Sequence, residues 1–364
     1  MASCLSRLHD APRQRRRLLT APAAESRPVP RFGLVAQVDH ADLAGGIALF
    51  EDADRLGYDV GYVRVRHLQD ALSSPLPFLT AAALHTERIQ VGTAVIPLRF
   101  ENAGRLAEDL ATTDLLTGGR LRPGLGSGYS AHDAIYTRAF GQVQGDRTEM
   151  VNRVLHDLLR FVDGEVVAGA DAHIEGVEPG TPLRIEPRAE GLRERLAYGA
   201  ASPERAAMAG SLGLGLQLAT MAPDDGSGRS FEVLQLEALR AYREASREAG
   251  HGDGHVMVSR QMLPMRTEEE LEQWVSLIPR ERAAAPAVAT EHAGVEIGGN
   301  PAVFSRVVLD DPMTVAHALL SDAVVQEADE ICLVLPFGAS AHARHQVLET
   351  FATDVVPHLL TAIV

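Results

Sequence analysis

Eight short apolar runs, each followed by a stretch of helical periodicity, make up most of the sequence from Arg31 onward. The runs are continuously apolar rather than alternating, which is typical of strands buried on both faces of a parallel sheet covered by helices. The runs cover residues 32–38, 58–65, 88–98, 120–125, 196–200, 214–220, 256–263 and 331–337. The helical stretches cover residues 42–56, 77–85, 101–116, 147–161, 203–212, 230–249, 268–278, 313–328 and 342–360.

Eight strand–helix units predict an α/β fold, a single closed (β/α)8 or TIM barrel. The rival fold is an open doubly wound sheet, which usually carries a glycine-rich phosphate loop after its first strand. The corresponding residues 38–42 contain no glycine. We therefore predict one barrel over residues 31–364, interrupted by insertions near 164–194 and 279–312, where strand and helix periodicity is lost.

Residues 1–30 form an Arg-rich N-terminal extension. Residues 1–31 contain seven Arg, Asp10 and Glu25, a net charge of +5. The rest of the chain carries −20, which gives the total of −15. The extension has no apolar core of the kind that a secretory signal needs, and it ends in a Pro-rich stretch at 27–30. We predict a solvated, disordered extension; a transit peptide is the alternative.

Charge, hydropathy and cysteine content exclude several classes of protein. An acidic body repels phosphates, so no nucleic-acid partner is expected. No apolar run reaches the roughly 18 residues that a membrane-spanning helix needs, so no membrane partner is expected. Cys4 and Cys332 are the only cysteines, and Cys332 lies in an apolar run that is typical of a buried strand. A cytoplasmic protein without disulfides is predicted, and no metal-type spacing of ligands occurs.

Two glycine clusters stand out as candidate sites. Gly213 and Gly215 lie between a helix and a strand, where a helix C-cap is the better interpretation. Residues 124–128 (GLGSG) end the fourth predicted strand, at the side of a barrel where active sites form. A ligand that approaches the backbone closely and a simple tight turn explain this second cluster equally well.

The block from Arg88 to Gly128 resembles the luciferase-like flavin-dependent monooxygenases. It carries the family's strand ending VGTA, the AED helix, a D-x-L-x-GGR segment and the strand ending GxGxG, and the ending FATDVVPHL also fits. The resemblance implies a (β/α)8 barrel and a reduced flavin, usually supplied by a separate reductase, that reacts with oxygen to oxygenate a substrate. One branch of the family uses the deazaflavin F420 for hydride transfer instead, but the segments here look closer to the FMN branch.

The resemblance also implies cofactor-binding residues. Ala94 and Val95 match a non-prolyl cis peptide that lies behind the flavin ring in many relatives. Gly126, Ser127, Gly128 and Tyr129 match the residues close to the flavin at the end of strand four. Ala201, Ser202 and Arg205 match a phosphate-binding turn. Backbone N–H groups at a helix start receive a phosphate well, and Arg early in a helix opposes the dipole unless an anion is present. The alternative role of Ser202 is to cap the helix that begins at Pro203.

One position departs from the family pattern. Many relatives carry two consecutive His residues after the second strand, and the first is important for catalysis. Here Arg66 replaces the first and His67 matches the second. Arg cannot act as a base at neutral pH, so the usual proton transfer is in doubt. Arg66 could instead stabilise an anionic intermediate or an acidic substrate, and we take Arg66 and His67 as the catalytic candidates.

The sequence thus predicts an FMN-dependent monooxygenase of the luciferase-like type acting on a small organic substrate. The alternatives are an F420-dependent oxidoreductase and a flavin-binding protein with little turnover. The expected partners are a small-molecule substrate, a flavin reductase and a second copy of the chain in a homodimer.

Overall fold

A computed structural model of the chain describes residues 29–128, 133–171, 173, 175–275, 295–297 and 300–363. The strands are β1 Arg31–Ala36, β2 Val60–Val63, β3 Gln90–Thr93, β4 Ile96–Pro97, β5 Leu121–Arg122, β6 Gly124–Gly126, β7 Ala168–Gly169, β8 Pro182–Leu183, β9 Ala197–Gly199, β10 Gly215–Leu218, β11 Met221–Pro223, β12 Val256–Pro264, β13 Val295–Ile297, β14 Asn300–Phe304, β15 Val307–Asp310 and β16 Glu330–Val334.

The helices alternate with these strands along most of the chain. They are α1 Leu43–Leu56, α2 Pro75–Leu84, α3 Ala103–Leu116, α4 Asp133–Phe140, α5 Arg147–Val162, α6 Leu192–Arg195, α7 Pro203–Ser211, α8 Phe231–Glu248, α9 Glu268–Val275, α10 Pro312–Ser321, α11 Ala323–Gln326, α12 Ala341–Thr350 and α13 Val356–Ile363. A 3-10 turn, Leu98–Phe100, follows β4, and a π-helical turn, Phe351–Val355, joins α12 to α13.

Eight parallel segments close into a ring. The chain between residues 90 and 97 forms the third segment (β3 and β4), and residues 121–126 form the fourth (β5 and β6). The third segment pairs with β2 on one side and with the fourth on the other. The fourth pairs with β9, and β10, β12, β16 and β1 follow in order until β1 pairs with β2. The predicted (β/α)8 barrel is therefore confirmed.

All eight predicted apolar runs contain ring strands, because each run is apolar enough to be buried on both faces. Cys332 is fully buried in β16, as predicted, and its thiol is free. Gly213 adopts φ +66° directly after α7, which confirms the helix C-cap. The predicted helix at 313–328 is wrong in one respect: it breaks at Asp322, whose carboxylate caps α11 and pairs with Arg260 at 2.7 Å.

The two insertions add small sheets outside the ring. In residues 164–194, β7 and β8 form an antiparallel pair. In the second insertion, β14 pairs with both β11 and β13, and β15 pairs in parallel with the end of β12. Residues 276–294, and residues 1–28 of the extension predicted at 1–30, lie outside the described residues. Within the described part of the chain, no helix is long and apolar enough to cross a membrane.

A buried polar cluster occupies the amino-terminal end of the barrel interior. Glu330 begins β16 with no exposed surface, and its Oε1 accepts a 2.8 Å hydrogen bond from the Tyr62 hydroxyl. Its Oε2 lies 3.6 Å from both Arg31 Nη1 and His255 Nε2. Burial alone would raise the pKa of Glu330, but His255, Arg31 and Tyr62 lower it below its ordinary value. This carboxylate is therefore held in its charged form.

Candidate functional site

A cavity of about 730 Å³ opens at the carboxyl ends of the ring strands. This is the end at which barrels of this kind bind their ligands. Two other cavities measure about 10 and 40 Å³, too small for a cofactor. Nine of the eleven predicted site residues line the large cavity: Arg66, Ala94, Val95, Gly126, Ser127, Gly128, Ala201, Ser202 and Arg205. Tyr129 lies outside the described residues, and His67 is not among the lining residues.

The start of α7 forms one corner of the cavity. The Ser202 hydroxyl accepts a 3.3 Å hydrogen bond from the Arg205 N–H, so Ser202 does cap the helix, and Pro203 occupies the first helical position. The hydroxyl still lines the cavity and keeps its own hydrogen to donate. Arg205 Nη1 donates to Asn152 Oδ1 at 2.9 Å, which holds the guanidinium beside this helix start. The corner combines a helix N-terminus with a positive charge.

Arg147 adds a second guanidinium to the lining, and sequence reasoning missed it. It is the first residue of α5, the helix that also carries Asn152, and its Nη2 donates to the Ser127 carbonyl at 2.8 Å. Burial lowers its pKa, and Asp133, 4.0 Å away, partly offsets this. An Arg at the first position of a helix opposes the dipole, the same signal that singled out Arg205. Applied to every helix start, that signal would have found Arg147.

Tyr198 on β9 lies near Arg205 and Arg147, the two arginines of the corner at the start of α7. Its side chain is buried, and among the described residues its hydroxyl has no hydrogen-bond partner. Burial raises the pKa of Tyr198, while the charges of Arg205 and Arg147 act to lower it. A buried hydroxyl without a partner costs free energy unless a ligand or water satisfies it. Its proximity to two arginines therefore fits an anion in this corner.

The back of the cavity is built around Val95. The peptide bond between Ala94 and Val95 is cis, as the resemblance implies. An added Cβ at Gly126 would lie 2.6 Å from Val95 Cγ2, and one at Gly199 would lie 2.8 Å from Val95 Cγ1. Both glycines are needed because the Val95 side chain fills the space that a larger residue would take. The GLGSG segment thus serves internal packing and also lines the cavity, and the close approach of a ligand to its backbone stays a prediction.

Arg64 and Arg66 follow β2, the neighbour of the third segment in the ring, and both line the cavity. The Arg64 guanidinium carbon lies 4.6 Å from the centre of the Phe337 ring, a cation–π contact that orients the charge. Burial lowers the pKa of Arg66 to about 10. Arg66 therefore remains protonated at neutral pH and is not a base. Together these two residues give this wall a positive charge.

His67 lies in an aromatic cluster beside the cavity. Its ring is 4.7 Å from Phe100 and 4.9 Å from Phe140, centre to centre, and Tyr136 contacts both phenylalanines. Within the described residues its buried Nε2 has no hydrogen-bond partner, and burial lowers its pKa. His67 is thus a neutral ring at pH 7. α4, which supplies Tyr136 and Phe140, had no counterpart in the sequence prediction.

The remaining wall comes from the small sheet outside the ring. β11 and β14 contribute the apolar residues Met221, Ala222, Pro223, Pro301 and Ala302, and Asp224 follows β11. The charged residues among the described lining residues are four Arg (64, 66, 147 and 205) and Asp224. None of the described lining residues is a His or a Glu. The cavity is chemically suited to bind anions, with an apolar wall for an uncharged body.

The chain matches one protein family over most of its length. Residues 29–350 match the family model described as luciferase-like monooxygenase. The limonene 1,2-monooxygenase of Rhodococcus erythropolis is 35% identical over 130 residues, which cover 35% of this chain and 32% of that protein. The chain spans about a third of the length of the curated relatives it matches.

Solved structures share the barrel at low sequence identity. The FMN complex of the oxygenating constituent of 3,6-diketocamphane monooxygenase from Pseudomonas putida superposes with a TM-score of 0.65 at 15% identity, covering 90% of this chain and 98% of that one. An F420-dependent secondary alcohol dehydrogenase superposes with a TM-score of 0.64 at 13% identity, covering 91% and 99%. At these identities the likeness establishes the fold alone.

Proposed function

The chain belongs to the luciferase-like monooxygenase family, and from that premise we propose that it is an FMN-dependent monooxygenase that uses reduced flavin and dioxygen to oxygenate a small organic substrate. The observation that carries this proposal is the corner at the start of α7. It places a helix N-terminus, the Ser202 hydroxyl and two guanidiniums at one end of a cavity of about 730 Å³. This arrangement suits a phosphate attached to a larger ligand.

The residues present fit FMN. We assign its phosphate to Ser202, Arg205 and Arg147, which line one corner of the cavity. Tyr198, near both arginines, does not itself line the cavity. We assign the ring to the surface formed by Ala94, Val95 and Gly126 at the back of the cavity. A cavity of this size is within the range that holds a cofactor and a small second ligand.

Bound in its reduced form, FMN supplies the electrons with which dioxygen is activated. The protein's own contribution is to bind and orient the cofactor and the substrate and to exclude water from the cavity. The apolar residues of β11 and β14 shield one side of the cavity, which strengthens electrostatic interactions inside it. Arg66 remains our catalytic candidate, as a fixed positive charge at the cavity wall. His67, the other candidate from the sequence, does not line the cavity, and we assign it a positioning role through its ring contacts with Phe100 and Phe140.

Two kinds of relative support the proposal and its alternative. Limonene 1,2-monooxygenase favours oxygenation, and the FMN-bound diketocamphane monooxygenase favours oxygenation with FMN. The F420-dependent dehydrogenase keeps F420 as the alternative cofactor. We propose further that a separate reductase supplies the reduced flavin, that the protein acts in the cytoplasm and that it is a homodimer.

The phosphate assignment is tested first, because it needs no substrate. Arg205→Ala removes a charge-assisted hydrogen bond worth about 1.5–3 kcal/mol, so FMN should bind roughly 10- to 100-fold more weakly. Riboflavin, which lacks the phosphate, should bind the variant and the parent about equally. Flavin fluorescence titration measures both affinities. Arg153→Ala, at an exposed position of α5, is the matched control and should change neither.

Equal losses of FMN and riboflavin affinity in Arg205→Ala would contradict the phosphate assignment. F420 titrated in parallel tests the cofactor: tighter binding of F420 than of FMN would favour the dehydrogenase branch. Oxygen consumption in the presence of a flavin reductase and candidate substrates then tests the oxygenation itself.

A further inference from the structure

We infer that Arg99 and Asp133 are positioning residues that determine how strongly the cavity prefers a phosphorylated flavin over riboflavin. They act through Arg147: Asp133 competes with the phosphate for this guanidinium, and Arg99 restrains Asp133. The inference rests on the proposed function, since it takes the corner that contains Arg147 and Arg205 as the phosphate site. It is carried by the contacts among the three charged side chains of Arg99, Asp133 and Arg147.

Arg99 lies in the 3-10 turn after β4 and binds both ends of α4. Its side chain is 2% exposed, and its Nε donates to both carboxylate oxygens of Asp133, the first residue of α4, at 2.8 and 3.0 Å. Its Nη2 donates to the carbonyl of Gly141, directly after α4, at 2.9 Å. Because the donors of a planar guanidinium point in fixed directions, these contacts hold the Asp133 carboxylate in one orientation.

The Asp133 carboxylate binds one guanidinium closely and lies near a second. Its Oδ1 is 2.8 Å from Arg99 Nε and 4.0 Å from Arg147 Nε, and these are the cations within 4.0 Å of it among the described residues. Burial lowers the pKa of Arg147 and the charge of Asp133 acts to raise it, so the carboxylate acts on Arg147 even at this distance. Asp133 is therefore an internal anion that can take the place of a phosphate at Arg147.

Arg147 connects this carboxylate to the phosphate corner. It lines the cavity together with Ser202 and Arg205, and its Nη2 donates to the Ser127 carbonyl at 2.8 Å. A carboxylate and a phosphate both accept charge-assisted hydrogen bonds from a guanidinium. An Asp133 carboxylate bound closely to Arg147 would neutralise the charge that attracts the phosphate. The distance that Arg99 imposes on Asp133 therefore affects FMN and not riboflavin, which has no phosphate.

Asp133→Asn tests the competition without disturbing the packing of α4, because Asn keeps an oxygen for Arg99 and loses the negative charge. FMN should bind this variant about two- to fivefold more tightly than the parent, the effect of removing one partly exposed charge near Arg147. Riboflavin should bind both equally. Fluorescence titration of the full chain with each flavin measures the affinities. Equal FMN affinities in Asp133→Asn and the parent would overturn the inference.

Arg99→Met should have the opposite effect, because it releases the carboxylate toward Arg147. FMN should bind about tenfold more weakly, as for the loss of one charge-assisted hydrogen bond, and riboflavin should bind equally. The double variant with Asp133→Asn should return the FMN affinity to within about twofold of the parent value, since the restraint and the competing charge are removed together. Arg138→Met, at an exposed position of α4, is the control and should change neither affinity.

The double variant also distinguishes this inference from a merely structural role of Arg99. If Arg99 only docks α4, the double variant should bind FMN as weakly as Arg99→Met, and that result would overturn the inference. A parallel loss of riboflavin affinity in Arg99→Met would overturn it as well. If Arg99→Met does not fold, the result for Asp133→Asn decides.

Arg205→Ala separates this inference from the proposed function. If Arg205→Ala weakens FMN but not riboflavin, while Asp133→Asn binds FMN like the parent, the inference is overturned and the phosphate assignment stands. If FMN does not bind the parent, the proposed function fails, and calorimetry then measures orthophosphate binding to the parent and to Asp133→Asn. If orthophosphate does not bind at millimolar concentration, or binds both proteins equally, the inference is overturned too. Tighter orthophosphate binding by Asp133→Asn would support it.

Discussion

Glu330 connects the stability of the barrel to pH. It is fully buried, and His255, Arg31 and Tyr62 lower its pKa despite its burial. A carboxylate whose pKa is lowered by folding stabilises the protein above the pKa of its unfolded state. That stabilisation is lost as the pH falls through the lowered, folded-state pKa. Glu330 is thus a source of acid sensitivity far from the cavity.

Glu330→Gln should lower the free energy of unfolding at pH 7 by about 1–3 kcal/mol, because the Tyr62 hydrogen bond is kept and the ion pair with Arg31 is lost. The difference between variant and parent should shrink below pH 4.5, the ordinary value for Glu. Denaturant titrations from pH 7 to acid measure it. Glu327→Gln, at an exposed ion pair with Arg240, is the control. A constant difference across the whole range would contradict the mechanism.

Single residues also mark the limit of prediction from sequence. Ser202, Arg205 and Val95 were found because motif and helix-start chemistry point to them. Arg147 was missed because the helix-start signal was applied only where the resemblance pointed. Its contact with the Ser127 carbonyl depends on α5 lying beside the end of β6. The burial of His67 among Phe100 and Phe140 was not predicted either, because the eight-residue helix α4 that supplies Phe140 was itself not predicted.

At the scale of elements, the connection from α3 to β5 contains the D-x-L-x-GGR segment, and its contacts show that this motif has a structural role. Asp114 near the end of α3 is buried and pairs with Arg195 at 2.6 Å. Gly118 and Gly119 follow with φ of +66° and +79°, which a residue with a side chain adopts only with strain. Arg120 then donates hydrogen bonds to Thr117, Thr86, Ile89 and Ala83. This motif joins α2, α3 and β3, and none of its residues lines the cavity.

Arg120→Met should therefore destabilise the protein without affecting the cofactor. Loss of several charge-assisted hydrogen bonds to partly buried carbonyls should cost about 2–4 kcal/mol of unfolding free energy. The FMN affinity, measured well below the melting temperature, should remain within about twofold of the parent value, a negligible free-energy change. Arg105→Met, on the exposed start of α3, should change neither quantity. A large loss of FMN affinity in Arg120→Met would show that the motif acts on the site.

For the whole molecule, the order of eight apolar runs was enough to predict the ring. Each strand is buried on both faces, so its composition alone reveals it. The insertions could not be predicted in the same way. β11 and β14 are short and lie outside the ring, and their pairing joins residues about 80 positions apart. That pairing forms one wall of the cavity, so the substrate side was the least predictable part of the site.

Residues 1–30 provide a prediction for the chain as a whole. The ring closes through β1, which starts at Arg31 and pairs with β16 and β2. Deleting residues 1–30 should therefore leave the melting temperature and the FMN affinity nearly unchanged. Differential scanning calorimetry and flavin titration of the shortened chain measure both. A fall of several degrees would show that the extension packs on the barrel.

Closure of the ring also restricts how two copies of the chain can associate. An open sheet ends in strands with unpaired N–H and C=O groups, to which another chain can add a strand. Here each of the eight segments is paired on both sides, so the ring has no such edge. A second copy can therefore contact this barrel only through its helices, its loops or the short strands outside the ring. A sheet shared between two copies could then form only through the short strands outside the ring, never through the ring itself.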